Sequence, residues 1–398
     1  MENNKMLKPL VIVLLQVVLL VSCNKSEYTQ TELLPKSNAV FIYMIADNDL
    51  DFYATANINE MEAFAAQNPN AGSVYVYIDR AKNRKTAHPV LYQISADTTA
   101  KINSKILKVY PENNSANEQI FKNVLDEVFA ITITKNEKLR RLVLWSHGSA
   151  WLLHSSLLTS NRATAVKSFG LDQTNMDGGS FHSEMDIRKL ASSLKGCHFD
   201  FLLFDACFMA SIEVFYELKN NFDYIIASPT EVLASGFPYK EILGDMLAQQ
   251  VNYKNISQKY VSHFQQKKGI LQSASAVVIK TDELDNFAKE LKKYVSDSKE
   301  INTANWLQYD QGNAGYLFDM GDFITHLQEN QADNKLLDQF EKMRVAYHHT
   351  PYFFNTIPLA KSSGISVFIP KKTTKKEEYD FYKTFSWSSI VTMLTLAK

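Results

Sequence analysis

Cysteine is scarce in this chain of 398 residues, which holds only Cys23, Cys197 and Cys207. Three cysteines cannot build the disulfide framework of a small secreted scaffold. An excess of charge is missing as well. The 42 Lys and Arg nearly balance the 43 Asp and Glu, leaving a net charge of −1. No stretch concentrates basic residues, which argues against a nucleic-acid binder. Glycine is sparse at 13, while 24 Phe and 19 Tyr are plentiful, a composition that suits an ordinary globular α/β protein. Several motifs are absent too. There is no Gly-x-Ser-x-Gly elbow of a serine hydrolase and no loop with EF-hand spacing. The histidines His182, His198 and His348-His349 have no metal-ligand pattern. No repeat, low-complexity segment or sharp linker divides the chain, which is long enough for one large domain or two ordinary ones.

Long apolar runs are rare, and the one at the N-terminus has a specific layout. Lys5 and Lys8 precede residues 10–21, apolar except for Gln16. A basic start and a short apolar core suit a bacterial secretory signal, and the run is too short for a comfortable transmembrane helix. It ends in Leu20-Val21-Ser22-Cys23, which resembles a lipobox. That resemblance implies cleavage before Cys23 and a lipid on its sulfur, with 1–22 as signal peptide and 23–37 as lipidated cysteine and polar tether. An ordinary signal peptide that happens to contain Cys23 is the alternative. Lipidation would hold the folded part at a membrane of the bacterial cell envelope, on its periplasmic side or at the cell surface. Cys197 and Cys207 then stand alone, and extended residues between them hold them roughly 20 Å apart, too far for a disulfide.

Buried strands are expected at 40–45, 73–78, 142–145, 199–204 and 224–227, with a helix between the first two forming a βαβ unit. Asp47-Asn48-Asp49-Leu50 after the first strand suits a turn and helix cap. Residues 90–94 and 106–110 form a less buried pair, and 117–129 an amphipathic helix. A long polar loop occupies 149–183, longer than compact domains tolerate without a function. The core is expected at 38–240. Residues 241–398 are helix-rich, with helices at 239–250, 256–266, 283–295, 316–330, 335–347 and 387–396 and strands at 275–279 and 364–369, packed on the same sheet.

Residues 199–218 organise the rest. The strand 199–204 is followed by Phe208, Ile212, Phe215 and Leu218 at helical spacing. Cys207 is thus expected at a strand end and in front of a helix N-terminus, whose amides and dipole favour a thiolate. A lone cysteine is usually packing, and a base is needed to make it a nucleophile. His147, in Ser146-His147-Gly148 at the end of strand 142–145, supplies one. Only one helix is expected between the two strands, making them parallel neighbours whose C-terminal ends converge on a ligand crevice. There a thiolate attacks a carbonyl, and the imidazolium protonates the leaving amine. The N–H groups of Gly148 and Cys207 are candidate oxyanion donors. The competing reading of His147 is a hydrogen-bonded structural histidine.

Ser146-His147-Gly148 and Phe204-Asp205-Ala206-Cys207-Phe208-Met209 resemble the clostripain-like cysteine peptidases, relatives of caspases, legumains and gingipains. Tyr43-Met44 through Leu50, Asn59-Glu60-Met61, residues 227–231 and Gly236-Phe237-Pro238-Tyr239 extend the resemblance, and residues 364–370 continue it thinly. It implies a caspase-like α/β/α sandwich with a mostly parallel central sheet and a helix-rich C-terminal extension. It implies His147 as general base, Cys207 as nucleophile, and cleavage of protein or peptide substrates after Arg or Lys by a monomer. Asp205 would receive the cation, since a desolvated guanidinium requires a carboxylate; Glu231 could share that role. The chain departs from the family in Ser149-Ala150, where further glycines are common, and in Pro229-Thr230-Glu231, where more acid is common. Self-cleavage between His and Cys, at Arg162 or Lys167, is a further implication. No cofactor is required, although calcium binds part of the family and Asp172, Asp177 and Asp186 are the available acids. The alternative is a catalytically silent peptide-binding lipoprotein of the same fold, against which the intact His147–Cys207 pair argues.

Overall fold

The computed structural model describes residues 37–81, 88–152, 168–173, 183–295, 301–311, 315–329 and 333–391, all within one unit, Pro35–Lys398. Cys23, Arg162, Lys167, Asp177 and the signal segment lie outside the described residues.

Strands β1 (Ser37–Ala46), β2 (Ser73–Arg80), β3 (Val90–Gln93), β4 (Lys105–Val109) and β5 (Glu137–Trp145) come from the first part of the chain. Helices α1 (Asp51–Gln67) and α2 (Glu118–Thr134) are threaded between them. A small hairpin, β6 (Phe169–Asp172) and β7 (Ser183–Met185), leads through α3 (Ile187–Ser193) to β8 (Phe199–Asp205). Then come α4 (Ile212–Leu218), β9 (Phe222–Ala227), α5 (Tyr239–Leu247), α6 (Tyr253–Gln265), β10 (Ser275–Lys280) and α7 (Leu284–Val295). The chain ends with β11 (Leu317–Asp319), α8 (Met320–Gln328), α9 (Lys335–Met343), β12 (Arg344–His349), the short hairpin β13 (Tyr352–Phe353) and β14 (Ile357–Pro358), β15 (Ser366–Phe368) and α10 (Lys376–Tyr382).

Nine strands form one sheet in the order β12-β10-β9-β8-β5-β1-β2-β3-β4. The five central strands, β9 to β2, run parallel, and the strands at both margins are antiparallel to their inner neighbours. Strand β8 shows why the centre must be covered on both faces. Phe201 and Leu203 enter one core with α1, α5 and α6, and Leu202 and Phe204 enter the other with α2, α3, α4 and α7. Strand β1 alternates likewise, with Val40, Ile42 and Met44 on one side and Phe41, Tyr43 and Ile45 on the other. A strand apolar at every position is stable only between two helix layers.

Several expectations fail at local level. The segment after Cys207 is not helical at Phe208, because Phe208 has φ 61° and α4 starts only at Ile212. The amides of Phe208 and Ala210 are instead held by the carbonyls of Thr230 and Ser228 at 2.9 Å each. Residues 335–347 are not one helix: α9 stops at Met343, and Arg344–His349 pairs antiparallel with β10 as an edge strand. Residues 316–330 likewise begin as β11, paired with β15. Within 387–396, only a 3₁₀ turn at Ser386–Ser389 falls among the described residues. At 316–330 and 335–347, strand pairing with a distant segment overrides a local helical period. The turn expected at Asp47–Leu50 is present, with Asn48 Oδ1 accepting from Leu50 N–H at 2.9 Å; the cap is not, since the residue before α1 is Leu50, and Asn48 Nδ2 donates to the carbonyls of Ile45 and Leu171.

Candidate active site

The register between β5 and β8 pairs Trp145 with Asp205. His147 and Cys207 therefore each lie two residues beyond a paired position, at the C-terminal edge of neighbouring parallel strands. Strand β1 on one side delivers Asp49 to the same edge, and β9 on the other delivers Glu231 and Val232. His147, Gly148, Asp205, Cys207 and Glu231 line one cavity of about 440 Å³, together with Asp49 and Val232.

Gly148 is required by close approach. A Cβ there would sit 2.5 Å from the Cys207 carbonyl oxygen and 3.0 Å from the Ala206 Cβ, so the two loops touch backbone to backbone. The flanking hydrogen bonds run from Ser149 N–H to Ser168 at 2.9 Å and from Gly170 N–H to the His147 carbonyl at 3.0 Å. Ala150 adopts φ 60°, a left-handed conformation that a glycine would take without strain.

Asp205 continues the alternation of β8 toward the face covered by α1 and α5. Its Oδ2 accepts from Phe237 N–H at 3.1 Å and from the Tyr239 hydroxyl at 2.8 Å, in a nearly solvent-free position. Burial pushes its carboxyl up to about 7, the two donors oppose that rise, and Glu60 adds to it. Gly236 leaves the carboxylate room, since a Cβ there would fall 2.7 Å from Oδ2.

The Cys207 thiol is held against the loop after β9. Sγ accepts from Val232 N–H at 3.3 Å and lies 3.7 Å from the Val232 carbonyl oxygen as donor. Among the described residues its hydrogen bonds go to Val232 and none goes to His147. Burial pushes the thiol up to about 12, with Glu231 raising it further and the Val232 amide opposing. This reverses the expectation of a thiolate favoured by a helix dipole. The helix begins five residues downstream, at Ile212, and Phe208 next to the cysteine is left-handed rather than helical.

The sequence presents Asp49 as part of a turn and helix cap. In the structure its Oδ1 lies 2.7 Å from His147 Nε2, and that contact holds the Asp49 carboxyl below the usual carboxylate range. Its place at the end of the strand beside β5 was the signal that could have found it. Of the calcium candidates, Asp172 accepts from Ser115 N–H at 2.8 Å, and Asp186 caps α3 and pairs with Arg188. Among the described residues no group of three acidic, His or Cys side chains is arranged to hold a metal ion. Cys197 and Cys207 are free thiols. Among the described residues no helix is long and apolar enough to cross a membrane.

Similarity to known proteins agrees with this geometry. The model of the clostripain family matches residues 42–393. The fold resembles an inactive zymogen C11 protease from Parabacteroides distasonis, with 28% identity, a TM-score of 0.73, and coverage of 90% of this chain and 99% of that one. A secreted C11 cysteine protease from Bacteroides thetaiotaomicron, in complex with an irreversible peptide inhibitor, is 25% identical with a TM-score of 0.71, covering 89% and 98%. A further secreted C11 cysteine protease from that organism, at 22% identity and TM-score 0.73, shares the fold over 90% and 99%. Among curated proteins none matches. The central sheet and its two helix layers are those of a C11 protease, and the chain belongs to the clostripain family of cysteine-type peptidases.

Proposed function

We propose that the protein is an endopeptidase that cleaves after Arg or Lys through Cys207 and His147. The observation that carries this reading is the β5–β8 register, which brings the two side chains to one mouth above a buried carboxylate. With its Nε2–H donated to Asp49, His147 has its lone pair on Nδ1. It takes the Cys207 proton there as Sγ attacks the scissile carbonyl carbon. The oxyanion falls to the N–H groups of Gly148 and Cys207. Collapse breaks the C–N bond, the imidazolium gives its proton to the leaving amine, and water then hydrolyses the thioester. The substrate's cation is neutralised by Asp205, with Glu231 near the mouth.

The contact of Cys207 with Val232 and the high thiol pKa support a latent form, consistent with likeness to an inactive zymogen. Cleavage of the 153–167 stretch at Arg162 or Lys167 would be the maturing step. The mature chain would be exported and tethered to the envelope through lipidated Cys23.

Hydrolysis of fluorogenic peptides by purified residues 24–398 tests the reading. The panel carries Arg, Lys, Asp, Asn or Leu before the reporter, with and without calcium. Turnover of the Arg and Lys members alone is expected. Turnover confined to Asp or Asn peptides would remove the basic preference, and silence from a matured chain would leave a peptide-binding lipoprotein.

Asp49 supplies a separate prediction. It is 60% exposed at its side chain, so replacing it perturbs the fold little. Asp49→Ala is expected to lower kcat about tenfold with little change in KM, since orientation of the base is felt in the transition state. Asp49→Glu should restore part of the loss. An unchanged kcat in Asp49→Ala would remove Asp49 from the mechanism.

A further inference from the structure

Two aliphatic side chains stand on the surface where a soluble protein has no structural need for them. Ile270 is 59% and Leu271 54% exposed, in the 3₁₀ turn Gly269–Leu271 ahead of β10. Both line the same cavity as Cys207, and so does Phe354 from the β13–β14 turn. The topology explains how such distant segments reach it. Strand β10 is antiparallel to β9, so its beginning lies at the edge where β8 and β9 end. Strand β12 is antiparallel to β10, so its end lies there too.

The wall is also tied together. The buried Ser273 hydroxyl donates to the Ile270 carbonyl at 2.7 Å and accepts from Phe354 N–H at 2.8 Å. Phe354 and Asn355 both hold positive φ, 47° and 58°. Non-glycine residues in that conformation are costly and persist where surroundings fix them.

We propose that Ile270, Leu271 and Phe354 form an apolar subsite for the substrate residues preceding the cleaved bond. The inference rests on the Cys207–His147 reading, which sets the direction. His147 protonates the leaving amine, so the departing C-terminal fragment lies on the β5 and β1 side. The acyl half then runs the opposite way along the sheet edge, past Val232 toward β10 and β12. The cavity, at about 440 Å³, is of the size that binds a drug-sized ligand and exceeds what one basic side chain fills. Apolar side chains two to four residues before the bond would cover Ile270 and Leu271, whereas acidic ones would lose that contact and meet Glu231.

The test compares peptides with the same Lys or Arg before the reporter and either Leu or Asp at the three positions preceding it. The purified chain is expected to favour the Leu peptides by about tenfold or more in kcat/KM, the discrimination that contact with an apolar pocket supplies. In Ile270→Ser/Leu271→Ser the ratio should fall toward one, chiefly through KM. Ile133→Ser, altering a 73% exposed residue of α2 outside the cavity, should keep the wild-type ratio. A ratio near one in the wild type, or an unchanged ratio in the double variant, overturns the subsite. A blocked single-residue Arg or Lys substrate separates the two readings. Its silence in the matured wild type overturns the basic-specific peptidase reading and the subsite that rests on it, whereas its turnover beside Leu and Asp peptides cut equally well overturns the subsite alone.

Discussion

Replacing Cys207 by Ala is expected to lower kcat/KM on Arg and Lys peptides by about 10⁴-fold or more, since no other group can form the acyl-enzyme. His147→Ala should cost nearly as much. Burial, with Glu231 adding to it, pushes the thiol up to about 12, so at neutral pH it is protonated and needs a base within reach. The two substitutions together should therefore do little more than either alone, as for residues acting as one unit. Both side chains line an open cavity, and circular dichroism and melting temperature should change little. The same Cys207→Ala chain also tests maturation. If Arg162 or Lys167 is cut by the protein itself, the purified variant stays in one piece while the wild type is processed. Processing of the variant at the wild-type rate would discard self-cleavage, and retained peptide turnover would discard Cys207.

The second large effect is expected at Asp205. Asp205→Asn keeps an oxygen to accept from Tyr239 and Phe237 but cannot carry the charge that a bound guanidinium requires. A fall of about 10²–10³-fold in kcat/KM on Arg and Lys peptides is expected, in line with loss of a buried charged partner. The stability effect should have the opposite sign. Burial raises the native carboxyl to about 7, against roughly 3.9 unfolded. Between those values the native state holds a proton that the unfolded state has lost, so stability falls as pH rises through this window. By pH 8 the penalty is complete, at about 4 kcal/mol. The amide removes it. Asp205→Asn should therefore melt higher than wild type at pH 8, with the gap closing toward pH 4. The kcat/KM of the wild type on basic peptides should also rise through pH 7 as the carboxylate ionises. A variant that kept its basic preference would show that Asp205 is a strand-end carboxylate with no part in the pocket, and one that melted lower at pH 8 would remove the burial penalty.

The apolar runs at 40–45, 142–145 and 199–204 fixed the central sheet, because a strand with no polar face can sit only between two layers of helices. The same runs placed His147 and Cys207, since a residue just past a buried parallel strand must emerge at the sheet's C-terminal edge. That much is local, and the pairing in the structure bears it out as far as position.

The ionisation of Cys207 was not local. It depends first on burial of the sulfur in the folded chain, then on Glu231 and Asp205 nearby, with the Val232 amide opposing, and on the Thr230 carbonyl holding Phe208 out of the helix that its spacing suggested. Asp49 and the Ile270–Phe354 wall were equally hidden. Their roles follow from which strand lies beside which and in which direction it runs. Strand β12 shows the reason plainly. Arg344–His349 continues the period of the helix before it and becomes a strand only because β10, some 70 residues earlier in the chain, offers it an unpaired edge. The sequence by itself determined which residues must be buried and which reactive groups lie at strand ends. Only the tertiary structure decided which of those groups meet and in what state of ionisation. Burial is a property of one segment's own side chains, whereas charge and contact depend on neighbours that only the folded chain assembles.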